Sequence, residues 1–382
     1  METRILQFGE GAFLRCFIDW MVQRMNGRAG FDGAVQVVQP RAGELCAVSR
    51  QLNGQGGRYH VCLRGILDGK TVEELEEITC VRGVDVPSNL ERYAVLPSLR
   101  FVVSNTTEAG IRYERGADTF PAKVLRLLKA RQAAGLPGLV FLPCELIEDN
   151  GGRLKACVLQ HLADAPDAAL RAYIENDCTF CSTLVDRIVS GRPDPESAER
   201  YARQLGARDE AMVCGEPFHF LAVRCPAGYE LESEMPLAKA GVNVVYAEDL
   251  APYRLRKVRF LNATHTTMVH RGLEQGFTEV AQCLEDPEFG AFVRQVVFEE
   301  ILPTVDLPDD EKRSYAESVL ERFANPFAHH RLESIALNTL AKWKTRCLPV
   351  VCDYYRLFGK MPAAMMEGYE AIARHYDNLK GK

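Results

Sequence analysis

The pattern of apolar and polar positions changes character once along the 382-residue chain. Through the first part, short apolar runs of strand length recur at 4–8, 34–38, 59–63, 99–103 and 138–143. Between or after them, apolar residues recur at helical spacing. One such stretch carries Phe17, Trp20 and Met21, a second over 121–134 carries Val124, Leu125, Leu127 and Leu128, and a third spans 153–175. Strands alternating with helices predict an α/β domain with a mostly parallel sheet. One more strand is expected at 242–246. Beyond about residue 252 the pattern turns helical throughout, with amphipathic segments at 255–272, 288–302, 309–323, 329–348 and 361–379.

The first predicted strand runs into Gly9-Glu10-Gly11 and then into a helix. Strand, glycine turn and helix in this order are what a dinucleotide fold needs. Gly9 permits the tight turn, Gly11 lets backbone approach a pyrophosphate, and the helix start presents amides to the anion. The third glycine of the usual fingerprint is absent, its position being held by Leu14. Cofactor contacts are expected from Phe8, Gly9, Gly11, Ala12, Phe13 and Arg15, and from Asn105 and Thr106 after the fourth strand. Glu145 is read as a contact to the cofactor ribose or a proton relay, with a structural turn role as the alternative. The end of the second strand carries Gln39-Pro40-Arg41. An acidic residue there would argue for NAD, and a basic one accommodates a 2′-phosphate. The expected architecture is a Rossmann-like domain over 1–252 followed by a mainly α-helical, substrate-binding domain over 253–382, with the active site in the cleft between them.

The helical part opens with Lys257, Asn262 and His265. On a regular helix Asn262 lies about 140° and His265 about 80° round from Lys257, so the three share one broad face. An ammonium that gives up a proton, an amide that holds a polarised oxygen and an imidazole that orients a hydroxyl are the parts needed to interconvert a carbonyl and an alcohol. The alternatives are a solvated lysine, an interhelical amide and a satisfied core histidine. Arg256 and Arg259 are read as solvated, and His270 as structural.

The spacing Lys-x4-Asn-x2-His resembles the active-site signature of the polyol-specific long-chain dehydrogenases, the mannitol dehydrogenase family, which also carries Gly-x-Gly-x-Phe-x-Arg at its N-terminus. Four further segments resemble that family's tagaturonate reductase branch. They are Ser104-Asn105-Thr106-Thr107-Glu108-Ala109-Gly110, Pro143-Cys144-Glu145-Leu146-Ile147 with Asn150-Gly151, residues 180–189 including Val185-Asp186-Arg187-Ile188, and Ser334-Ile335-Ala336-Leu337-Asn338. The resemblance covers residues 4 to about 350. It implies NAD-linked, metal-independent reduction of the 3-keto group of tagaturonate to altronate in hexuronate catabolism. Reduction of fructuronate or of a neutral ketose, as in mannitol dehydrogenases, is the alternative within the family. Lys257 is then general acid and base, Asn262 the oxyanion donor and His265 a substrate contact. Asp186 pairs with Lys257 or anchors a substrate hydroxyl, the alternative being an Asp186-Arg187 pair that only holds a loop, and Lys342 aligns with a family lysine that contacts substrate hydroxyls. A uronate carboxylate needs a cation, for which Lys342 stands first, then Lys344 and Arg346. The chain departs from the pattern at Leu146, where mannitol dehydrogenases carry a second oxyanion-donating Asn, at Ser334 in place of an Arg, and in a shortened C-terminal region.

Composition narrows the remaining classes. A formal charge of −6 argues against general nucleic-acid binding. No apolar run reaches the roughly 18 residues of a membrane span, and the N-terminus enters strand and glycine turn with no secretory segment, so a cytoplasmic enzyme, monomeric or homodimeric, is expected. Thirteen cysteines at irregular spacing do not form a disulfide framework. Cys178 and Cys181 make a Cys-x-x-Cys with no second ligand pair after it, so neither a redox motif nor a structural metal is expected. The rival from another class is a non-catalytic NAD-binding module.

Overall fold

The computed structural model describes residues 1–67, 69–107 and 109–380, the last four by backbone alone. Two compact units form. The first comprises Met1–Leu63, Glu74–Gly215 and His219–Leu250, and the second comprises Ala251–Lys382 with the short pieces Arg64–Glu73 and Glu216–Phe218.

Six parallel strands make the centre of the first unit: β1 (Glu2–Phe8), β2 (Gly33–Val38), β3 (Val81–Asp85), β4 (Phe101–Ser104), β5 (Val140–Pro143) and β6 (Thr179–Phe180). Their order is β3-β2-β1-β4-β5-β6, all neighbours parallel. This is the doubly wound dinucleotide-binding order, which reverses beside β1. Alternate residues of a strand face opposite sides, and here both sides are covered. Ile5, Val35, Val37 and Val103 join Phe17, Trp20 and Met21 of helix α1 (Ala12–Ala29) in one core. Leu6, Phe8, Val38, Val102 and Phe141 join Val124, Leu127 and Leu128 in the other. Double burial explains why these strands read as continuous apolar runs.

Several elements differ from expectation. The strand expected at 59–63 does not enter the parallel sheet; Tyr59–Leu67 belongs to a separate four-stranded sheet with Lys70–Ile78, Val213–Gly215 and Val189–Gly191. A third sheet joins Val244–Tyr246, Phe220–Arg224 and Ser182–Asp186. The helix expected over 153–175 is two helices, Asn150–Ala163 and Ala168–Asn176, parted at Pro166, which cannot donate to a continuing helix. Asp167 caps the second through the Leu170 amide.

The second unit packs helices around Phe260, Val269, Phe289, Val297, Val319, Phe323 and Met365. The helix expected over 255–272 is not regular. Ala251–Lys257 is followed by a π-helical turn, Val258–Ala263, before α-helix resumes over Thr264–Glu274. Two further π turns, Val296–Ile301 and Trp343–Cys347, interrupt the segments expected at 288–302 and 329–348. Arg256 and Arg259, expected in solvent, are buried. Arg256 pairs with Glu311 at 2.7 Å and lies over the Tyr315 ring, and Arg259 pairs with Asp353. Among the described residues no helix is long and apolar enough to cross a membrane.

The helix Asn150–Ala163 approaches the strand Ser182–Asp186 so closely that a Cβ at Gly151 would stand 2.3 Å from the Cys181 carbonyl oxygen. Gly151→Ala is therefore expected to destabilise the first unit by about 1–3 kcal/mol, as backbone must move to admit one methyl. A denaturant midpoint equal to that of the parent protein would contradict this packing.

Candidate active site

At the carboxyl ends of β1, β2 and β4, where the strand order reverses, the first unit holds a cleft of about 770 Å³. Gly9, Gly11, Gln39, Arg41, Glu44, Asn105, Thr106, Thr119 and Lys123 are among its lining residues. Gly9 has a φ of +127°, and a Cβ there would meet the Asn105 carbonyl oxygen at 3.2 Å, so only glycine makes the turn without strain. Gly11 has nothing within 4 Å of where a Cβ would be. It is also the N-cap of α1 and brings no capping side chain, so the first amides of that helix are left for an incoming group. Open space above a glycine and uncapped amides of an 18-residue helix fit a dinucleotide diphosphate.

The loop after β4 is held from beneath. Glu145 is buried and accepts from the Thr106 amide and hydroxyl, both at 2.9 Å, and from the Ser104 hydroxyl at 3.1 Å. Burial raises its carboxyl above the usual range, against these hydrogen bonds. Glu145 does not line the cleft; it braces Asn105 and Thr106, which do. The loop after β2 is built round Gln39, whose amide donates to the carbonyls of Arg41 at 3.0 Å and Glu44 at 2.9 Å and accepts from the Cys46 amide at 3.0 Å.

Of the other residues expected at the cofactor, Phe8 and Arg15 have side chains engaged elsewhere. Phe8 is fully buried, its ring 4.9 Å from that of Phe120, and its carbonyl accepts from the Asn105 amide. Arg15 turns inward, where its guanidinium bonds the Glu10 and Ala211 carbonyls and lies over the Tyr59 ring. Ala12 and Phe13 are the first residues of α1 and supply its open amides, while the Phe13 ring is stacked on Phe17. Thr119 and Lys123, not among the residues expected at the cofactor, also line the cleft from the start of the helix Phe120–Ala133. Thr119 immediately before Phe120-Pro121 is a helix-start signal that could have drawn attention to that end.

In the second unit, Lys257 is the last residue of the helix before the π turn, Asn262 lies within it, and His265 follows it. Hydrogen bonding to the fifth residue brings side chains five apart nearer to one face than a regular helix does, which favours a shared face for Lys257 and Asn262. Side chains satisfy carbonyls of the turn: the Thr266 hydroxyl donates to Asn262 at 2.8 Å, and the Cys347 thiol to Ala263 at 3.5 Å. Asn262 is half-buried, and its own side-chain amide makes no hydrogen bond among the described residues.

His265 is buried between the Phe323 ring, stacked at 4.1 Å, and the edge of His330 at 4.7 Å. Burial, then His330 and the positive charges of Arg322, Arg346 and Lys342, hold its pKa well below 6.5, so the ring is neutral. Its Nε2 has no hydrogen-bond partner among the described residues. A buried nitrogen left unpaired costs about 1–3 kcal/mol, an expense that an incoming hydroxyl would relieve.

The three cations are not equivalent. Arg322 is neutralised by Glu216, with three contacts of 2.9–3.0 Å between two side chains each 2% exposed. Lys342 donates to the Ile335 carbonyl at 2.8 Å. Burial, then Arg346, lowers the Lys342 pKa. Arg346, half-buried in the π turn Trp343–Cys347, forms no ion pair or hydrogen bond among the described residues. Lys344 is exposed. Asp186 and Leu146 belong to the first unit. Asp186 is buried opposite Phe220 at the end of its strand, while Leu146 is exposed. Asn150 donates to the carbonyls of Pro143, Glu145 and Thr183, and so holds β5 to the third sheet. No three His, Cys, Asp or Glu side chains gather as a metal site among the described residues.

Comparison with known proteins identifies the two domains. The Mannitol dehydrogenase Rossmann domain matches residues 3–226, and the Mannitol dehydrogenase C-terminal domain matches residues 249–378. Altronate oxidoreductase of Bacillus subtilis is 40% identical over 98% of this chain and 79% of its own length. That of Halalkalibacterium halodurans is 39% identical over 100% and 76%, and that of Escherichia coli O7:K1 is 37% identical over 98% and 80%. Among solved structures, a D-sorbitol dehydrogenase superposes with a TM-score of 0.82 at 22% identity, covering 97% of this chain and 80% of its own. Pseudomonas fluorescens mannitol 2-dehydrogenase, in ternary complex with NAD and D-mannitol, gives 0.72 at 21% identity over 98% and 79%. With both domains matched in order, and a fold shared with dehydrogenases, the chain belongs to the mannitol dehydrogenase family of oxidoreductases.

Proposed function

We propose that the protein is a cytoplasmic NAD-dependent tagaturonate reductase, interconverting tagaturonate and altronate in hexuronate catabolism. The observation that carries the uronate reading is the charge about His265, where Glu216 neutralises Arg322 while Arg346 keeps an uncommitted guanidinium and Lys342 adds a second cation. Excess positive charge in a partly buried setting suits a carboxylate, which a neutral ketose lacks. The naming of its relatives as altronate oxidoreductases supports the same substrate.

Bound NADH supplies the hydride. Lys257 delivers the proton that turns the developing alkoxide into an alcohol, and withdraws it in the oxidative direction. Asn262 donates its amide to the same oxygen, a contact worth roughly a few kcal/mol when aimed at developing charge. His265, kept neutral, bonds a substrate hydroxyl through Nε2, and Arg346 with Lys342 holds the carboxylate. Ammonium and amide together supply the polarisation that a metal supplies in other dehydrogenases. In the cleft, Gly9, Gly11 and the start of α1 would hold the diphosphate, and Asn105 and Thr106 would contact the nicotinamide ribose or the diphosphate. The rim carries both Arg41 and Glu44; the Glu44 carboxylate gives a ribose 2′-hydroxyl an acceptor, and the preference for NAD over NADP rests on it.

NADH oxidation followed with tagaturonate, fructuronate and fructose in parallel tests the substrate. Fastest turnover of tagaturonate is expected, preference for another ketose would move the assignment within the family, and NADH binding without turnover would favour a non-catalytic module. Lys257→Ala is expected to lower kcat by about 10²–10⁴-fold with NADH binding unchanged, the range over which a positioned acid or base acts. Undiminished turnover in that variant would remove Lys257 from its role. Arg346→Leu is expected to raise KM for tagaturonate about 10- to 150-fold, the equivalent of one charge-assisted contact, while any activity on fructose stays as it was. An equal loss on both substrates would show that Arg346 supports the fold rather than the carboxylate.

A further inference from the structure

Cysteine spacing directs attention to Cys178 and Cys181, yet the sulfur that Cys181 meets belongs to Cys225, 44 residues on. Strand Ser182–Asp186 pairs antiparallel with Phe220–Arg224, setting Arg224 opposite Ser182. One step further along that register, Cys225 stands opposite Cys181. Directly opposed residues of antiparallel strands have Cα atoms about 4.5–5.5 Å apart, inside the range of about 4.4–6.8 Å that a disulfide bridges. The two sulfurs are 3.7 Å apart, so side-chain rotation brings them to bonding distance with little backbone movement.

The two thiols are unequal in ways that suit a sequential reaction. Cys181 is fully buried, whereas Cys225 is half-buried and lines a pocket of about 430 Å³ with Tyr229, Glu230, Glu232, Tyr246 and Glu248. The Cys181 thiol donates to the Cys225 sulfur. That bond, with the Leu231 amide, brings the Cys225 pKa down to about 7 against the effect of burial, while the same bond and burial push Cys181 up. Cys225 is thus the accessible nucleophile and Cys181 the sheltered partner. Cys178 is buried, its thiol pushed up to about 11 by burial. The carboxylates on the pocket wall repel anionic disulfides such as oxidised glutathione, and admit an uncharged peroxide.

We propose that Cys225 and Cys181 form a peroxide-reactive dithiol site, independent of the dehydrogenase chemistry. The Cys225 thiolate attacks one oxygen of hydrogen peroxide. The O–O bond breaks, hydroxide leaves and takes up the proton released by Cys225 as water, and Cys225 becomes a sulfenic acid. The Cys181 sulfur then attacks the Cys225 sulfur. The S–O bond breaks, the oxygen departs as a second water with the Cys181 proton, and a disulfide closes across the two strands. Two thiols lose two electrons and two protons to one peroxide. Cross-strand closure beside an open pocket leaves the disulfide within reach of a small dithiol reductant.

Peptide mass spectrometry after graded hydrogen peroxide treatment and alkylation of the intact protein tests the site. A cross-linked pair of peptides containing Cys181 and Cys225 is expected, with joint loss of both thiols before Cys46 and Cys352, which are exposed, and recovery of both with dithiothreitol. In Cys181→Ser, Cys225 is expected to stop at a sulfenic acid that dimedone traps, and Cys225→Ser should leave Cys181 reduced. Oxidation of Cys46 and Cys352 in the parent protein while Cys225 and Cys181 remain thiols would overturn the proposal. So would direct passage of Cys225 to a sulfinic acid with Cys181 still reduced.

Discussion

The placing of Lys257, Asn262 and His265 in the second unit depends on one departure from regular backbone, the π turn Val258–Ala263. A helix that bonds to the fifth residue instead of the fourth accommodates an extra residue in the turn and leaves carbonyls to be satisfied from outside. Thr266, from the next turn, and Cys347, from a second π turn, donate to two of them. The face presented by Lys257, Asn262 and His265 is therefore not a property of their spacing alone. The hydroxyl and the thiol that take up carbonyls of the turn have no part in the proposed reaction.

Around that turn the unit handles positive charge in two ways. Arg259, Arg256 and Arg322 are buried and answered by Asp353, Glu311 and Glu216. A buried cation deprived of its carboxylate would cost several kcal/mol, so these pairs hold helices in place. Arg346 has no such answer, and it contributes to keeping His265 neutral. The contrast separates structural arginine from the one available to a ligand, a distinction that cationic residues on a helix surface do not reveal by type.

What could be read from the sequence follows from where burial leaves a mark. Four of the six parallel strands were legible because residues such as Ile5 and Leu6, or Val37 and Val38, are buried on opposite faces and write an unbroken apolar run, whereas Val81–Asp85 and the two-residue Thr179–Phe180 are broken by polar residues or too short and were missed. Lys70–Ile78, with most of its side chains at least partly exposed and a run of glutamates, carries no such mark and was missed. Gly9 was legible because backbone geometry demands it, and Gly11 because it opens the helix start with no side chain over it. The side-chain partners of Arg15, Phe8 and Glu145, which are Ala211, Phe120 and Thr106, come from other parts of the chain, so sequence left open whether these residues meet the cofactor or brace the loops around it. The same distance hid the burial of Arg256 and Arg259, whose carboxylates lie 55 and 94 residues further on. No periodicity announces a π turn whose carbonyls are met by Thr266 and Cys347.

Gln39 is an instructive case of a position doing two things. In many dinucleotide folds an acidic side chain near the end of the second strand selects between cofactors. Here the side chain at that end is the peg on which the loop from Arg41 to Cys46 is hung, with two donated bonds and one accepted. A carboxylate at 39 has no N–H to donate, so it would release the Arg41 and Glu44 carbonyls as it gained a charge. The loop is the freer place for change: Gln39 holds the main-chain carbonyls of Arg41 and Glu44, so the side chains at 41 and 44 can be replaced without removing the bonds that shape the cleft rim.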